Sequence, residues 1–235
     1  MGKRLIQQAR GKGSPTYRAP SFRYQARSAH KSLGTQMIEG IIVDFITCQG
    51  HSAPLAQVQY QDGEDVLMLA PEGLKVGDKV NYGGEVVIGT SLPLHAIPEG
   101  TAIHNIEQQP GDGGKFCRAS GTFAKVIGKQ QEGIVVQLPS KKQKLFHASC
   151  RATIGVIAGG GRTEKPFVKA GKNYHAHRAR NKLYPHISGG AQNAVDHPFG
   201  NSRSSRKSKA RPTSRNAPPG RKVGMIGARR TGRKK

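Results

Sequence analysis

The chain has 235 residues, enough for one large or two small domains, and a formal net charge of +24. It contains no apolar run of about 18 residues and no basic amphipathic helix, so the composition argues against a membrane protein. The start, from Met1 to Arg4, has no apolar signal core, which predicts a cytoplasmic protein. The three cysteines are odd in number and far apart, which is typical of buried free thiols in a reducing compartment.

The positive charge is concentrated at the two ends of the chain. Residues 1–36 hold eight Lys and Arg and no acid, residues 37–160 have a net charge of −2, and residues 161–235 have +18. Like charges repel and apolar residues are sparse in these ends, so we expect them to need a polyanion as partner. Nucleic acid is the favoured one, because each phosphate contact releases condensed counterions. A solubilising disordered tail is the alternative, but such tails rarely interleave aromatic residues with the charge.

The segment 1–36 is predicted to be a basic, extended arm, because glycine and proline residues interrupt it. Aromatic side chains alternate there with arginines, a pattern suited to stacking on bases and gripping phosphates. The candidate RNA-binding residues of the arm are Arg4, Arg10, Lys12, Tyr17, Arg18, Phe22, Arg23, Tyr24 and Arg27. The alternative is that the aromatic residues cap a neighbouring barrel, and the two roles are compatible if they fall to different residues.

A first set of short β-strands is predicted in residues 37–83. Ile41–Ile46 is β-branched and mostly apolar, Pro54–Tyr60 alternates apolar and polar residues, and Gln61–Glu64 is a hairpin turn signal before Val66–Leu69. Strands at this even spacing, with no helical period between them, indicate an OB-like five-stranded barrel.

A second β-set is predicted in residues 84–160, after a boundary marked by Gly83-Gly84 and the stretch Pro93–Pro98. Its predicted strands lie within Thr101–Ile106, Phe116–Ile127, Ile134–Leu138 and Lys144–Ile157. A small barrel of SH3-like size is the corresponding fold. The fold class is therefore all-β, with an OB-like and then an SH3-like barrel between basic N- and C-terminal extensions.

The segment 161–235 is predicted to be a basic extension, because glycine, proline and basic residues alternate there with little periodicity. A short helix from about Tyr174 to Leu183 would bring Arg178, Arg180 and Lys182 together, and the runs Arg203–Arg211 and Arg221–Lys235 are expected to be extended unless bound. The candidate RNA-binding residues are Arg162, Lys172, His175, His177, Arg178, Arg180, Arg203, Arg206, Lys207, Arg215, Arg221, Lys222, Arg229 and Arg230.

The run Asn193–Gly200 places an acid, Asp196, and an imidazole, His197, before Pro198 inside this basic extension. A hydrolytic triad also requires a nucleophile on an elbow such as Gly-x-Ser-x-Gly, which the sequence lacks. Two interpretations stay open: Asp196 caps a turn and His197 is simply exposed, or Asp196 accepts hydrogen bonds from loop amides and His197 faces RNA.

No cofactor or metal site is predicted from the sequence. Every Gly-Lys pair lacks the Ser or Thr that a phosphate-binding P-loop needs next. His175 and His177 supply two possible metal ligands but have no nearby Cys, Asp or Glu to complete a site. For these two histidines, a hydrogen bond to phosphate is the favoured role.

Five runs of the sequence carry a resemblance, namely Leu92–Thr101, Arg118–Gly121, Cys150–Gly155, Asn193–Gly200 and Asn216–Gly224. In this order they resemble motifs of one family, that of the universal large-subunit ribosomal protein numbered two, in its archaeal form. The first is similar to the linker between the family's barrels and the next two resemble its second barrel. Asn193–Gly200 resembles its signature loop, and Asn216–Gly224 resembles the archaeal and eukaryotic tail. The resemblance covers nearly the whole chain.

The resemblance implies a non-catalytic protein whose two barrels lie on large-subunit rRNA in the cytoplasm. Its implied partners are other ribosomal proteins, the small subunit across the interface and, indirectly, tRNA. It also implies that Asp196, His197 and Pro198 lie near the peptidyl transferase centre. Phe199 stands where bacterial members have a second histidine, and Asn201 follows Gly200 where the family usually has glycines. A transiently bound translation or assembly factor, and an enzyme such as a nuclease, are the competing functions.

Overall fold

The computed structural model describes residues 2–32, 37–201 and 212–229. It divides into two compact units, one formed by Ser21–Val168 and the other by Met1–Pro20 together with Lys169–Lys235. Among the described residues the first unit contains ten strands and the second contains two short α-helices and one pair of two-residue strands. The predicted all-β class is confirmed at this level, since most of the regular structure is β.

The first unit has ten described strands, most of which coincide with the β-branched and alternating runs of the sequence. They are β1 (Ile38–Ile46), β2 (Leu55–Tyr60), β3 (Asp65–Leu69), β4 (Lys79–Tyr82), β5 (Ser91–Pro93), β6 (Ala102–His104), β7 (Ala124–Gln130), β8 (Gly133–Gln137), β9 (Gln143–Phe146) and β10 (Arg151–Ile154). Within the described residues they form one sheet in the order β3-β2-β1-β4-β5-β10-β6-β7-β8-β9.

The first half of this sheet consists of β1–β4 and the second half of β5–β10. Strand β1 lies at the centre of the first half and pairs antiparallel with both β2 and β4. Its register with β2 shifts between Ile42 and Asp44, an irregularity that bends a strand and increases its twist. A Cβ on Gly40 would stand 2.6 Å from Cγ1 of Val58, so glycine is needed for the close approach of β1 and β2. The buried core of this half consists of Ile42, Ala56, Val58, Tyr60, Met68, Ala70, Val80 and Tyr82.

The second half of the sheet continues through one parallel bridge, between Tyr82 of β4 and Ser91 of β5. Strand β10 then pairs antiparallel with β5 and β6, and β7, β8 and β9 follow as antiparallel neighbours. The core of this half consists of Leu92, Leu94, Ile97, Ile103, Ile106, Ala124, Val126, Ile134, Val136, Phe146, Cys150, Ala152 and Ile154. A smaller core cluster around Leu55 and Leu69 includes Ile157, so the end of the second half also packs on the first.

We call the stretch Ser28–Lys31 the strap. Its residues Ser28, His30 and Lys31 are buried, although the sequence placed them in an extended arm. The guanidinium of Arg118 donates to the carbonyl oxygen of Ser28 at 2.7 Å. The ring of His30 lies 2.6 Å from the carbonyl oxygen of Asn105 and 3.2 Å from Oγ of Ser91. These contacts fix the strap to the second half of the sheet.

Lys31 fixes the strap to the first half of the sheet. Its Nζ donates to a carboxylate oxygen of Glu64 at 2.5 Å and to Asp62, and it lies 5.1 Å from the centre of the Tyr60 ring. All three partners belong to the β2–β3 hairpin or its turn. One short stretch of chain therefore contacts both halves of the sheet.

In the other unit, the N-terminal stretch is folded more than its glycines and prolines suggested. Helix α1 (Ile6–Gly11) begins where the Gln8 side chain accepts the amide of Leu5 at 3.0 Å, and a 3-10 turn follows at Pro15–Tyr17. The prediction of an extended arm is therefore wrong for these residues. Side-chain capping of the first turn and glycine at the last helical position allow a helix of only six residues.

The C-terminal helix is offset from its predicted bounds. Helix α2 spans Ala170–Arg178, so Arg178 is its last residue and Arg180 and Lys182 lie beyond its end. Asn181 takes a left-handed backbone (φ 49°) and stops the helix. The chain after Arg221 is not wholly extended either, since the amide of Val223 donates to the carbonyl oxygen of Arg221 at 2.9 Å in a tight turn. Beyond this turn, β12 (Met225–Ile226) pairs in parallel with β11 (Pro212–Thr213). The whole of Arg203–Arg211 lies outside the described residues.

Candidate nucleic-acid interface

The loop Asn193–Gly200 is held in shape by its own backbone. The carbonyl oxygen of Asn193 accepts the amides of Asp196 at 2.9 Å and His197 at 3.1 Å, and the carbonyl of His197 accepts the amide of Gly200 at 2.9 Å. Gly200 is buried against the start of the loop, because a Cβ there would stand 2.3 Å from the carbonyl oxygen of Asn193. The loop is therefore a closed pair of turns and not an open excursion.

His197 is half-buried and oriented by two neighbours within the loop region. Its Nδ1 accepts the backbone amide of Phe199 at 3.0 Å, and the two rings meet edge to face at 5.1 Å between centroids. Since Nδ1 acts as an acceptor, the neutral imidazole carries its proton on Nε2. Burial lowers the pKa of His197, which favours this neutral form further.

Gly189 lies against the face of this imidazole. A Cβ at that position would stand 2.3 Å from Cε1 of His197, closer than any real side-chain contact. The 3-10 turn Gly189–Ala191 thus leaves room for the ring only because its first residue has no side chain. The ring orientation is fixed from both sides.

In the described part of the chain, the carboxylate of Asp196 neither caps a turn nor accepts hydrogen bonds from the amides of the loop, which were the two roles that the sequence suggested for it. Among the described residues no hydrogen bond to its exposed carboxylate is formed, and the amides of the loop are taken by Asn193 instead. Asp196 and His197 nevertheless line one cleft of about 670 Å³, whose walls also include residues 3–7, with the cations Lys3 and Arg4 among them. Pro198 is exposed.

The cleft lacks the groups that hydrolysis would use. Its described lining contains no Ser, Thr or Cys, so it has no aliphatic hydroxyl and no thiol that could act as a nucleophile. Nor do three His, Cys, Asp or Glu side chains come together as metal ligands anywhere in the described chain. The described lining does combine two cations, Lys3 and Arg4, with the carboxylate of Asp196 and the imidazoles of His186 and His197.

The predicted RNA-binding residues of the second unit form a mostly exposed set. Exposed in that unit are Arg4, Lys12, Arg18, Lys172, His175, Arg178, Arg215, Arg221, Lys222 and Arg229. Half-buried there are Arg10, Tyr17, His177 and Arg180. Arg203, Arg206, Lys207 and Arg230 lie outside the described residues. Within the described part of this unit, no Lys or Arg forms an ion pair with a carboxylate.

In the first unit, Phe22, Arg23, Arg27 and Arg162 are exposed. The Phe22 ring is 82% exposed and lies 5.2 Å from the guanidinium of Arg23, so an aromatic face and a cation are presented side by side. Arg27 and Arg162 each donate one hydrogen bond, to the carbonyl of Asp112 and to Oγ of Ser120.

Tyr24 has a packing role. Its ring lies where a side chain of residue 50 would be, since a Cβ on Gly50 would stand 2.5 Å from it, and it contacts the core cluster around Leu55. This matches the alternative in which some aromatics of the arm cap the barrel. An RNA contact of Tyr24 stays a prediction, as it does for the other residues of the set.

Sequence reasoning missed two features that organise the first unit, the strap and Arg151. The guanidinium of Arg151 donates to the carboxylate of Glu107 at 2.7 and 3.1 Å and to the carbonyl of Lys31 at 2.7 Å. The signal for Arg151 was an arginine at the start of an apolar strand, but nothing in the sequence identifies its partner 44 residues away.

In the described parts of the chain, no helix is both long and apolar enough to cross a membrane.

Two family models match the chain. One, described as Ribosomal Proteins L2, C-terminal domain, matches residues 87–217, and the other, described as Ribosomal Proteins L2, RNA binding N-terminal domain, matches residues 6–82. The chain belongs to the ribosomal protein L2 family. The resemblance drawn from the signature loop and the other motifs is thereby confirmed.

Curated members of the ribosomal protein L2 family match over nearly their full length. The chain is 52% identical over 234 residues to "Large ribosomal subunit protein uL2" of Archaeoglobus fulgidus, with 99% of both chains covered. It is 49% identical to the protein of that name from Natronomonas pharaonis, covering 99% and 97%, and 50% identical to that of Methanothermobacter thermautotrophicus, covering both completely. These relatives are archaeal, as the tail motif indicated.

Proposed function

We propose that the chain is a structural constituent of the large ribosomal subunit and binds large-subunit rRNA. The observation that carries this proposal is the unpaired positive charge of the second unit in a member of the ribosomal protein L2 family. Its described cations have no carboxylate partners within the unit, so their charge is available to RNA phosphates. The chain is not an enzyme, since its family is one of ribosomal structural proteins.

The two halves of the sheet act as the platform for this binding. In the proposal β1–β4 belong to the OB-like barrel and β5–β10 to the SH3-like barrel, with the domain limits at residues 37–83 and 84–160. The strand pairing supports this division, because among the described residues the two halves are joined by few bridges, one between Tyr82 and Ser91 and an isolated one between Pro71 and Ile157. The strap and the buried ion pair keep the platform rigid, so that exposed cations meet the phosphates in a fixed register.

The loop Asn193–Gly200 supports the peptidyl transferase centre, subunit association and tRNA binding in this proposal. The neutral imidazole of His197 presents Nε2–H as a hydrogen-bond donor to a phosphate or base acceptor, while Phe199 and Gly189 hold the ring. The role is one of positioning, and the chemistry of the centre belongs to RNA. Within the ribosome of the cytoplasm, the remaining partners are other ribosomal proteins and the small subunit across the interface.

Sedimentation in high salt tests the proposal against a transiently bound translation or assembly factor. Large subunits are isolated from cells that express the tagged chain, washed in high salt and run on a sucrose gradient. A structural constituent stays with the large subunit in one-to-one amount. Recovery at the top of the gradient after the wash would favour the transient factor.

A further inference from the structure

Cations from two distant stretches of sequence line one small pocket of the second unit. Arg10 in α1, Arg178 at the end of α2 and Lys182 four residues further on surround a volume of about 350 Å³. This volume is at the lower end of the range of about 300–1,000 Å³ for small-ligand sites. It suits one nucleotide unit and is too small for a helix of RNA.

Asn181 organises the pocket. Two backbone hydrogen bonds end α2 at this residue. The amide of Asn181 donates to the carbonyl of Arg178 at 3.0 Å, and the amide of Lys182 donates to the carbonyl of His177 at 2.9 Å. Such a motif satisfies carbonyl oxygens at the negative end of a helix, which would otherwise repel an anion. The left-handed backbone of Asn181 also turns the chain so that Lys182 lines the same pocket as Arg178.

The same asparagine fixes the N-terminal stretch to this helix end. Its side-chain amide donates to the carbonyls of Thr16 and Arg18, both at 2.7 Å, and its own carbonyl accepts Nη2 of Arg10 at 2.6 Å. The guanidinium of Arg10 also lies over the ring of Tyr17, 5.4 Å from its centre. Arg10 is therefore held in place before any ligand arrives, which lowers the entropic cost of binding.

Most cationic donors of the pocket are unused. In the described chain, Nε and Nη1 of Arg10, the guanidinium of Arg178 and Nζ of Lys182 have no hydrogen-bond partner, and no carboxylate lines the pocket. A group that accepts from several directions and carries negative charge would satisfy them. A phosphodiester phosphate has this chemistry.

Two aromatic rings border these cations. Tyr184 has one face occupied, because it stacks on His177 with 5.0 Å between centroids and 27° between planes. Tyr174 is 43% exposed and makes one edge-to-face contact, with His175 at 77° between planes, which leaves at least one ring face for a planar ligand. An exposed tyrosine beside a phosphate-binding group is the arrangement that stacks an unpaired base.

We propose that this pocket binds one nucleotide of single-stranded RNA, its phosphate held jointly by Arg10, Arg178 and Lys182 and its base stacked on Tyr174. The inference deepens the proposed function and rests on it, since it names one built site for RNA on the second unit. It commits to unpaired RNA, because a base within a duplex is not free to lie on the Tyr174 ring.

A double-substitution cycle on the full-length protein tests the shared phosphate. The probe is a fluorescein-labelled single-stranded oligouridylate, with affinity measured by anisotropy. Arg10→Met and Arg178→Met each weaken binding about tenfold or more, and the double variant is little weaker than the worse single one. The control pair combines Arg178→Met with Lys172→Met, a substitution that removes an exposed charge of α2 outside the pocket. In this pair the two losses of affinity multiply.

Tyr174 provides a second, independent readout. Tyr174→Leu weakens binding of the oligouridylate about tenfold, whereas Tyr174→Phe binds it as tightly as the wild type does. Binding of duplex RNA is unchanged in Tyr174→Leu. Arg178→Met has no intramolecular bond to lose, so it reports on binding even if Arg10→Met disturbs the fold. The pocket proposal would be overturned if the losses of affinity in Arg10→Met and Arg178→Met multiplied in the double variant, or if Tyr174→Leu bound oligouridylate with full affinity. In either case the proposed function would stand, provided that the wild type binds RNA. Failure of the wild type to bind any RNA would overturn both.

Discussion

Nη2 of Arg151 lies 2.7 Å from Oε1 of Glu107 in the interior of Ser21–Val168, where the Glu107 side chain has no exposed surface. The same carboxylate accepts the amides of Gly111 at 3.2 Å and Gly113 at 3.1 Å. Burial alone would raise the pKa of Glu107, but these bonds and those from Arg151 outweigh it and lower the pKa. The carboxylate is thus the centre of a buried network that joins β10 to a glycine-rich loop.

We expect Glu107→Gln to destabilise this unit by roughly 3–5 kcal/mol, because it leaves the guanidinium of Arg151 buried without its counter-charge. The measurement is urea unfolding of the full chain followed by far-UV circular dichroism. Lys79→Met is the control, since it breaks the exposed pair with Glu39 and should cost less than about 1 kcal/mol. Equal midpoints for the two variants would contradict a structural role for the buried pair.

Stability should decrease as the pH falls from about 6.5 to about 4. Burial lowers the pKa of both His30 and His104 from 6.5 to about 4. In this window the unfolded chain binds protons that the folded protein does not, so the free energy of unfolding falls by on the order of 3 kcal/mol for each histidine. The check is the urea midpoint against pH.

The variant His104→Gln should flatten this pH dependence by about half. His147→Gln, which alters an exposed histidine of the same unit, serves as the control and should leave the slope unchanged. A slope that His104→Gln does not alter would show that other groups take up the protons.

Gly189→Ala should displace the imidazole of His197 without unfolding the protein. The added methyl would lie 2.3 Å from Cε1 of the ring, so the hydrogen bond from the Phe199 amide to Nδ1 must break. The ¹⁵N chemical shift of Nδ1, read from ¹H–¹⁵N spectra of the imidazole, reports this loss. Gly171→Ala, which has no atom within 4 Å of the new Cβ, is the matched control. An unchanged Nδ1 shift in Gly189→Ala would mean that the turn adapts instead.

His197→Ala should leave the urea midpoint of the chain unchanged but impair subunit joining or peptide transfer in assembled particles. The reason is that Nε2–H is the one donor that the loop offers from a fixed ring. His186→Ala, which alters an exposed residue of the same cleft, is the control. Particles with His197→Ala that join subunits and translate at the normal rate would reduce the loop to a structural role.

The affinity of the chain for an rRNA fragment should fall steeply with salt. If eight cations contact phosphate, the logarithm of the association constant should decrease with the logarithm of salt concentration at a slope of roughly −6 to −7. Filter binding between low and moderate salt measures it. A slope near −1 would be incompatible with binding through the two basic extensions.

The strands were predictable because each is encoded locally. Ile41–Ile46 and Ile134–Leu138 are β-branched, and a glycine or a turn signal separates each from its neighbour. Strand β5 was missed because Ser91–Pro93 has only three residues, ends in proline and is defined by its partner β10. The stretch 116–123 was wrongly included in a strand, since only Phe116 makes a bridge there, to Ile106.

The site was predictable in part. The loop Asn193–Gly200 could be identified from its residues, but the ring of His197 is set by Gly189, which no spacing rule connects to it. Asn181 is a helix-stop signal, and its use would have corrected the end of α2. The contact of Asn181 with Arg10 spans 171 residues and is decided by tertiary packing alone.

The strap has a consequence for synthesis of the protein. His30 and Lys31 are made early, yet Arg151, which bonds the carbonyl of Lys31, is made 120 residues later. Until then the strap has no complete binding site, and contacts of such long sequence separation form slowly. The growing chain therefore carries its basic N-terminal stretch undocked through most of translation, in a form that RNA or a chaperone can bind first. The strap can therefore complete its contacts only after Arg151 has been synthesised.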